Sequence, residues 1–308
     1  MIEVPGELAA NHLKYPDDSG PSWTAALPGV AQHFLDAWDL RVEGPSMHGI
    51  VSLVLPVRQA DGSHAALKLQ PATEENVTEG PGLRQWDGDG IVRLLREDTL
   101  PLPGHDGNAL LLERLVGERS LESVPDTLEA MKILTSLLAR LVVHPAPAGM
   151  RRLADIAQGM LDDVPHALEK AHPDDRRWLD ICAGAVRELV GEPGDRLLHW
   201  DLHFDNVLAA EREPWLAIDP KPLAGDPGFD LLPALDNRWD DVVATGDVAR
   251  AVRVRFDLMV DGLGLDRQRA VGWTLGRVLQ NALWDIKDGE ERLNEEQLAI
   301  ADALLHRP

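Results

Sequence analysis

The spacing of apolar residues changes character once along the chain, near residue 117. Between 39 and 115 they come in short β-prone runs. Leu40-Arg41-Val42 leads into Gly44, and Ile50–Val57 follows as a run rich in branched side chains. Ala60-Asp61-Gly62-Ser63 reads as a turn and Ala65–Leu69 as the partner strand, with Ile91–Leu95 and Ala109–Leu115 as two more strands. Only 73–86 suggests a helix in this part. Beyond Gly117 the spacing becomes helical: Leu128, Met131, Leu134, Leu138, Leu141 and Val142 mark a helix over 127–143. The same spacing predicts helices over 174–190, 247–263, 267–287 and 294–306, with Asp247 and Asp266 as N-caps and Gly262 and Gly289 as stops. Residues 1–30, with Pro5, Pro16, Gly20, Pro21 and Pro28, read as an irregular extension holding at most one short helix. The pattern therefore predicts an α+β fold: an extension (1–30), a small β-rich lobe (31–116) and a larger helical lobe (117–308), joined near 113–119.

Composition narrows the class of partner. A formal net charge of −22 argues against nucleic acid or an anionic membrane, whose recognition needs a basic face, and suits a cationic small molecule. The same acidity also serves solubility. The single Cys182 excludes an internal disulfide framework and fits a reducing compartment. The N-terminal stretch has no basic segment followed by an apolar one, and no uncharged apolar run approaches the roughly 18 residues of a membrane span. The expectation is a cytoplasmic protein, monomeric or homodimeric.

Most of the chemistry lies in His199-Trp200-Asp201-Leu202-His203-Phe204-Asp205-Asn206, followed by Ile218-Asp219 in a second apolar run. Phosphoryl transfer from ATP needs one carboxylate at the acceptor hydroxyl, and a second carboxylate and an amide to hold Mg²⁺ against the triphosphate. Asp201, Asp219 and Asn206 are those groups in that order, and the Asp201-to-Asn206 spacing matches a kinase catalytic loop with Trp200 in place of its Arg. Each residue alone could be a turn or capping residue; the combination is what speaks. His199 and His203 have a spacing that on a helix could bind metal, but no Glu accompanies them in an HExxH pattern. They are expected to orient the loop by hydrogen bonds, with Leu202 and Phe204 turned inward.

Lys68, flanked by apolar neighbours in its strand, is costly unless paired with charge. Phosphates and a helix Glu would pair it. Glu79 is the best candidate, with Glu75 and Glu74 as alternatives, although Gly80-Pro81-Gly82 directly after Glu79 should break or kink an ordinary helix. Gly44-Pro45-Ser46-Met47-His48-Gly49 stands between two strands, where a phosphate-covering loop belongs, and Ser46 is its candidate contact. The Leu110–Leu115 segment, with Glu113 and Leu115, offers backbone groups to an adenine edge. On the acceptor side, Asp226 and Asp230 belong to an acidic stretch over 219–241, and Asn281, Trp284 and Asp285 lie in a helix that could line a cleft.

The HWDLHFDN loop, Ile218-Asp219-Pro220 and Gly225-Asp226-Pro227-Gly228-Phe229-Asp230 resemble the aminoglycoside phosphotransferase family, and most closely its streptomycin 6-phosphotransferase branch, whose homologues are also labelled hydroxyurea phosphotransferases. The resemblance runs from about Leu40 to the last helices. It implies a two-lobed protein-kinase-like fold and ATP- and Mg²⁺-dependent phosphorylation of an aminocyclitol hydroxyl, streptomycin at its 6-hydroxyl first among acceptors, giving antibiotic resistance. It further implies Asp201 as base, Asn206 and Asp219 as Mg²⁺ ligands, Lys68 on the α- and β-phosphates and Glu79 holding Lys68. A protein kinase is disfavoured: Trp200 stands where an Arg would bind a phosphorylated activation loop, and only six residues separate Asp219 from Asp226. A catalytically inactive nucleotide-binding pseudokinase would have lost one of the residues retained here. A kinase of another small-molecule alcohol remains the other alternative.

Overall fold

The strand-like runs pair as their alternation dictates. A computed structural model describes residues 2–14, 20–102 and 106–306, and the chain divides into two compact units, Met1–Val116 with Ala210–Arg212 and Gly117–Ala209 with Glu213–Pro308. In chain order the first unit carries α1 (Gly6–Lys14), α2 (Gly20–Ala37), β1 (Arg41–Val42), β2 (Met47–His48), β3 (Leu53–Arg58), β4 (His64–Pro71), α3 (Glu79–Trp86), β5 (Leu94–Leu100) and β6 (Gly107–Glu113). The strands form one sheet in the order β1-β3-β4-β6-β5, with β2 on the edge of β3 and every pairing antiparallel. Period-two alternation then sorts the side chains. Leu53, Leu55 and Val57, Ala65, Leu67 and Leu69, and Ala109 and Leu111 share one buried cluster. Lys68, opposite Val54 and Leu110 in register, belongs to the other set.

The extension expected at 1–30 is not irregular. α1 and α2 are helices, and Leu8, Trp23, Leu27, Val30, Ala31, Phe34 and Leu35 bury themselves in the same cluster as the sheet. Pro21 falls in the first turn of α2, where no N–H is required, and Pro28 lies inside the helix. The proline count hid a stripe at Trp23, Leu27, Val30 and Phe34 with helical spacing, and burial of that stripe outweighs the cost of Pro28. Pro16 lies outside the described residues.

The second unit carries β7 (Val116–Ser120), α4 (Thr127–Leu141), α5 (Leu153–Lys170), α6 (Arg176–Leu189), β8 (Arg196–Leu198), β9 (Val207–Ala209), β10 (Trp215–Ala217), β11 (Leu223–Gly225), α7 (Leu232–Leu235), α8 (Trp239–Ala244), α9 (Val248–Leu263), α10 (Arg267–Asp288) and α11 (Glu295–Leu305). β10, β9 and β7 form one small sheet and β8 pairs with β11, so the functional loops hang on two short ribbons among helices. Asp247 and Asp266 do cap their helices, accepting from the Arg250 and Arg269 N–H groups, and Gly289 (φ 87°) ends α10. Gly262 does not end α9, which runs on to the left-handed Gly264 (φ 67°). A Cβ at 262 would collide with Thr135 of α4, so this glycine serves close packing of two helices. Helix α5 has no counterpart among the expected elements. It contains Pro165, yet Leu153, Ala157, Met160, Val164 and Ala167 bury a continuous face. Among the described residues no helix is long and apolar enough to cross a membrane.

If α2 is part of the core of the first unit, Trp23→Ala should lower stability by about 3–5 kcal/mol, the usual result of deleting a buried indole. Urea unfolding followed by far-UV circular dichroism measures it; a change below about 1 kcal/mol would show the helix to be an appendage.

Candidate active site

The loop 199–206 connects β8 to β9, and its shape comes from what is buried beneath it. Leu202 and Phe204 are fully buried, as their apolar character in a polar loop requires. The Phe204 N–H donates to Asn237 Oδ1 at 2.7 Å, and the Arg238 guanidinium stacks over the Phe204 ring at 5.2 Å. Asp230, with no exposed surface, accepts the His199 N–H on one carboxylate oxygen and the Trp200 N–H on the other, both at 2.8 Å. Those bonds hold Trp200 in a left-handed conformation (φ 68°), an uncommon state for a bulky residue that costs about 1–3 kcal/mol. The Arg151 (4.4 Å) and Arg277 (5.0 Å) guanidinium groups also stand over the indole. The next residue is Asp201.

His199 ties this loop to the second acidic element. The Asp201 N–H donates to His199 Nδ1 at 3.3 Å, which leaves the ring hydrogen on Nε2, and Nε2–H donates to the Ile218 carbonyl at 3.0 Å. The Lys221 N–H returns to the His199 carbonyl at 2.9 Å. Burial pushes the His199 pKa down to about 4 although Asp201 and Asp219 stand near it, so the imidazole is neutral. The expectation that this histidine orients the loop holds. His203 instead lies on the wall of the cavity described below.

The hairpin of β9 and β10 brings the two oxygen donors together. Ala217 pairs with Val207, and the Ile218 N–H donates to the Asn206 carbonyl at 2.9 Å, placing Asp219 one residue beyond that bond. Asp219 is left-handed (φ 55°), and Lys221 Nζ lies 3.5 Å from its carboxylate. Asn206 spends its Nδ2–H on the Asp201 carbonyl at 2.8 Å, which leaves its amide oxygen as the group to offer. A carboxylate and an amide oxygen suit a hard cation that takes its other ligands from phosphates and water. Among the described residues no group of three or more His, Cys, Asp or Glu is arranged to hold a metal by itself.

In the first unit Lys68 Nζ donates to both oxygens of Glu79, at 2.8 and 2.7 Å, and both side chains are almost fully buried. Gln70 Nε2 donates to the same carboxylate at 2.8 Å. Gly80-Pro81-Gly82 does not disturb this pair, because Glu79 opens α3 and Pro81 falls in the first turn, where a missing N–H costs nothing. Ser46 gives its hydroxyl hydrogen to the Glu3 carbonyl at 2.8 Å. The Glu113 N–H donates to the Arg93 carbonyl and its carboxylate binds Arg212 at 3.1 and 3.3 Å, whereas Leu115 lies outside β6 and β7.

A cavity of about 220 Å³ in the second unit is lined by Asp201, His203, Leu232, Pro233, Asp236, Asn237, Arg277 and Asn281. Of the residues expected on the acceptor side, Asn281 is the one on this wall. Asp226 is not: it accepts the Gly228 N–H at 2.8 Å and pairs with Arg269, capping a short turn. Asp230 has no surface to offer and serves the loop from beneath. Asp285 accepts the Asn294 N–H, and Trp284 lies beside Trp200 on a separate groove of about 510 Å³ between α5 and α10. Arg277, Asn237 and Asp236 are wall residues that were not among the sequence-based candidates. Asp236 was visible only as one acid in a run, and the other two carried no local signal.

The family model for aminoglycoside/hydroxyurea antibiotic resistance kinases matches residues 37–289. The chain is 56% identical over 305 residues to a streptomycin 6-kinase of Streptomyces glaucescens, covering 99% of this chain and 97% of that protein. It is 51% identical over 310 residues to a hydroxyurea phosphotransferase of Kitasatospora aureofaciens, covering 100% and 87%. Among solved structures, aminoglycoside phosphotransferase APH(4)-Ia superposes with a TM-score of 0.60 over 91% of this chain and 98% of that one at 12% identity, a likeness of fold.

The buried groups around the loop set opposite pH dependences. Burial raises the Asp230 pKa to about 7, against the two amide N–H groups that favour its carboxylate. The folded protein therefore holds this proton more tightly than the unfolded chain between about pH 4 and 7, and the contribution to stability is lost as pH rises through that window. His199 is shifted down, so its contribution is lost as pH falls from its ordinary 6.5 toward 4. In Asp230→Asn only the histidine component remains of the two. The urea midpoint of the variant relative to wild type should rise from pH 4 to 7, while turnover falls roughly 10- to 100-fold because the amide NH₂ that replaces one carboxylate oxygen cannot accept the N–H aimed at it. A midpoint difference that is flat with pH would remove Asp230 from this account.

Proposed function

The chain belongs to the aminoglycoside/hydroxyurea antibiotic resistance kinase family, and on that premise we propose that it transfers the γ-phosphoryl group of ATP to the 6-hydroxyl of streptomycin, a cationic aminocyclitol antibiotic, and so inactivates it. The observation that carries this reading is the junction of Asp201, Asn206 and Asp219 through the His199 and Ile218 hydrogen bonds, with Asp201 opening onto a cavity that holds a second carboxylate.

The roles follow from the groups. Asp201 takes the proton of the acceptor hydroxyl as its oxygen forms the new bond to phosphorus and the bond from the γ-phosphorus to the bridging oxygen breaks, releasing ADP. Asn206 Oδ1 and the Asp219 carboxylate are the oxygen donors that would hold Mg²⁺, which when bound neutralises charge on the triphosphate. Lys68, held by Glu79 at 2.7 Å, is assigned to the α- and β-phosphates. Leu115, outside both flanking strands, is a better backbone partner for the adenine edge than Glu113, whose N–H is taken. The left-handed Trp200 aims Asp201 and has no part in binding a phosphorylated loop, which agrees with a small-molecule acceptor.

Incubation with ATP, Mg²⁺ and a panel of streptomycin, other aminoglycosides and hydroxyurea should give a mass gain of about 80 Da, one phosphoryl group, on streptomycin. Gain on hydroxyurea alone would move the acceptor assignment to the other named branch of the family. Asp201→Ala should lower kcat by roughly 10²- to 10⁴-fold with nucleotide affinity retained; turnover near wild type would sink its assignment as base. Lys68→Ala should raise KM for ATP and lower kcat together. It also leaves Glu79 buried without its cation, which lowers stability by about 3–5 kcal/mol, so thermal unfolding must be read alongside.

A further inference from the structure

Asp201 shares its cavity with Asp236, a carboxylate that phosphoryl transfer leaves without a task. The backbone on both sides of Asp236 is pinned. The buried Arg255 guanidinium donates to the carbonyls of Leu235 at 3.0 Å, Asn237, and Arg238 at 3.4 Å. Asn237 binds the Phe204 N–H, so the same turn is tied to the loop that bears Asp201. From α10 and α11, Asn281 Nδ2 donates to Gln297 Oε1 at 3.0 Å, and the Gln297 side chain donates to the Asp236 carboxylate. That carboxylate retains lone pairs for further donors. Burial disfavours its charge, and a cationic ligand would relieve that cost. Of the other charged groups on the wall, Arg277 has its guanidinium stacked among Trp200, Phe229 and Trp284 and gives one N–H to Gln280 at 2.7 Å.

We propose that Asp236 is the specificity-determining residue of the acceptor site: it accepts the N–H groups of a guanidinium or ammonium on the ring carbon next to the hydroxyl presented to Asp201. The proposal rests on the acceptor class assigned above. A guanidinium fork matches a carboxylate edge to edge, so a pinned carboxylate sets the orientation of the ring as well as its affinity. In streptomycin the 6-hydroxyl and a guanidino group stand on neighbouring carbons of one cyclitol ring. The cavity volume of about 220 Å³ lies below the roughly 300–1,000 Å³ usual for a whole drug-sized ligand, which suits entry of that one ring.

Asp236→Asn keeps the shape and the acceptor for Gln297 while removing a charge that burial disfavours, so the variant should fold with a Tm at or above wild type near neutral pH. Its KM for streptomycin should rise roughly 10- to 100-fold with KM for ATP unchanged, the loss expected for one charge-assisted contact. Asp236→Glu should recover part of that loss. An unchanged KM for streptomycin in a variant whose wild-type parent phosphorylates it would overturn the role of Asp236 alone, as would equal rises in both KM values. A wild-type protein that leaves streptomycin unmodified would overturn the acceptor assignment and this proposal with it.

Discussion

The placement of Asp201 depends on one buried carboxylate and two backbone N–H groups. Asp230 accepts from His199 and Trp200, and this bidentate grip keeps Trp200 left-handed against its own steric preference. Without it the strained residue has little reason to stay, and Asp201 turns with it. Asp230 is in turn located by close packing, since a Cβ on Gly228 would press on the Ala270 backbone of α10. The cap that Asp226 forms on Gly228, tied to Arg269, fixes the same turn. What looks like an acidic acceptor stretch is, at 226 and 230, the support beneath the loop.

This divides the acidic residues of the second unit into two kinds. Asp226, Asp230 and Asp175 spend their oxygens on backbone N–H groups and arginines, and they give the loop and helix ends their shape. Asp201 and Asp236 reach a cavity, and Asp219 stands at the end of the hairpin with Lys221 beside it. Net charge reports the sum of both kinds and so bears on solubility and encounter with cations. It does not say which carboxylates remain open. His199 shows the complementary case, a buried imidazole kept neutral so that both ring nitrogens can serve hydrogen bonds between loop and hairpin.

Much of this protein was legible in its sequence because the relevant signals are local. β-Prone runs on either side of a turn marked β3 and β4, with Lys68 among apolar neighbours, and helical periodicity with Asp caps marked α9 and α10. The Asp201–Asn206–Asp219 order could be read because a short hairpin converts sequence spacing into proximity. Misreadings arose where tertiary burial outweighed local propensity. Pro28 and Pro165 stay inside helices because one face of each helix is buried, and Gly262 sits inside α9 to let α4 approach.

The acceptor side shows where sequence ends. Asp226, Asp230 and Asp236 are the same residue type within eleven positions, with equal claim as letters to a cationic substrate. Their fates diverge only when α10 and α11 pack against the turn: the amides of 199, 200 and 228 take up two of them, and Arg255 and Gln297 hold the third open to the cavity. The sequence by itself determined the reaction, because two carboxylates and an amide in a fixed local order match what phosphoryl transfer requires. Only the tertiary structure decided which carboxylates line a cavity, because lone pairs are allotted by neighbours from distant parts of the chain.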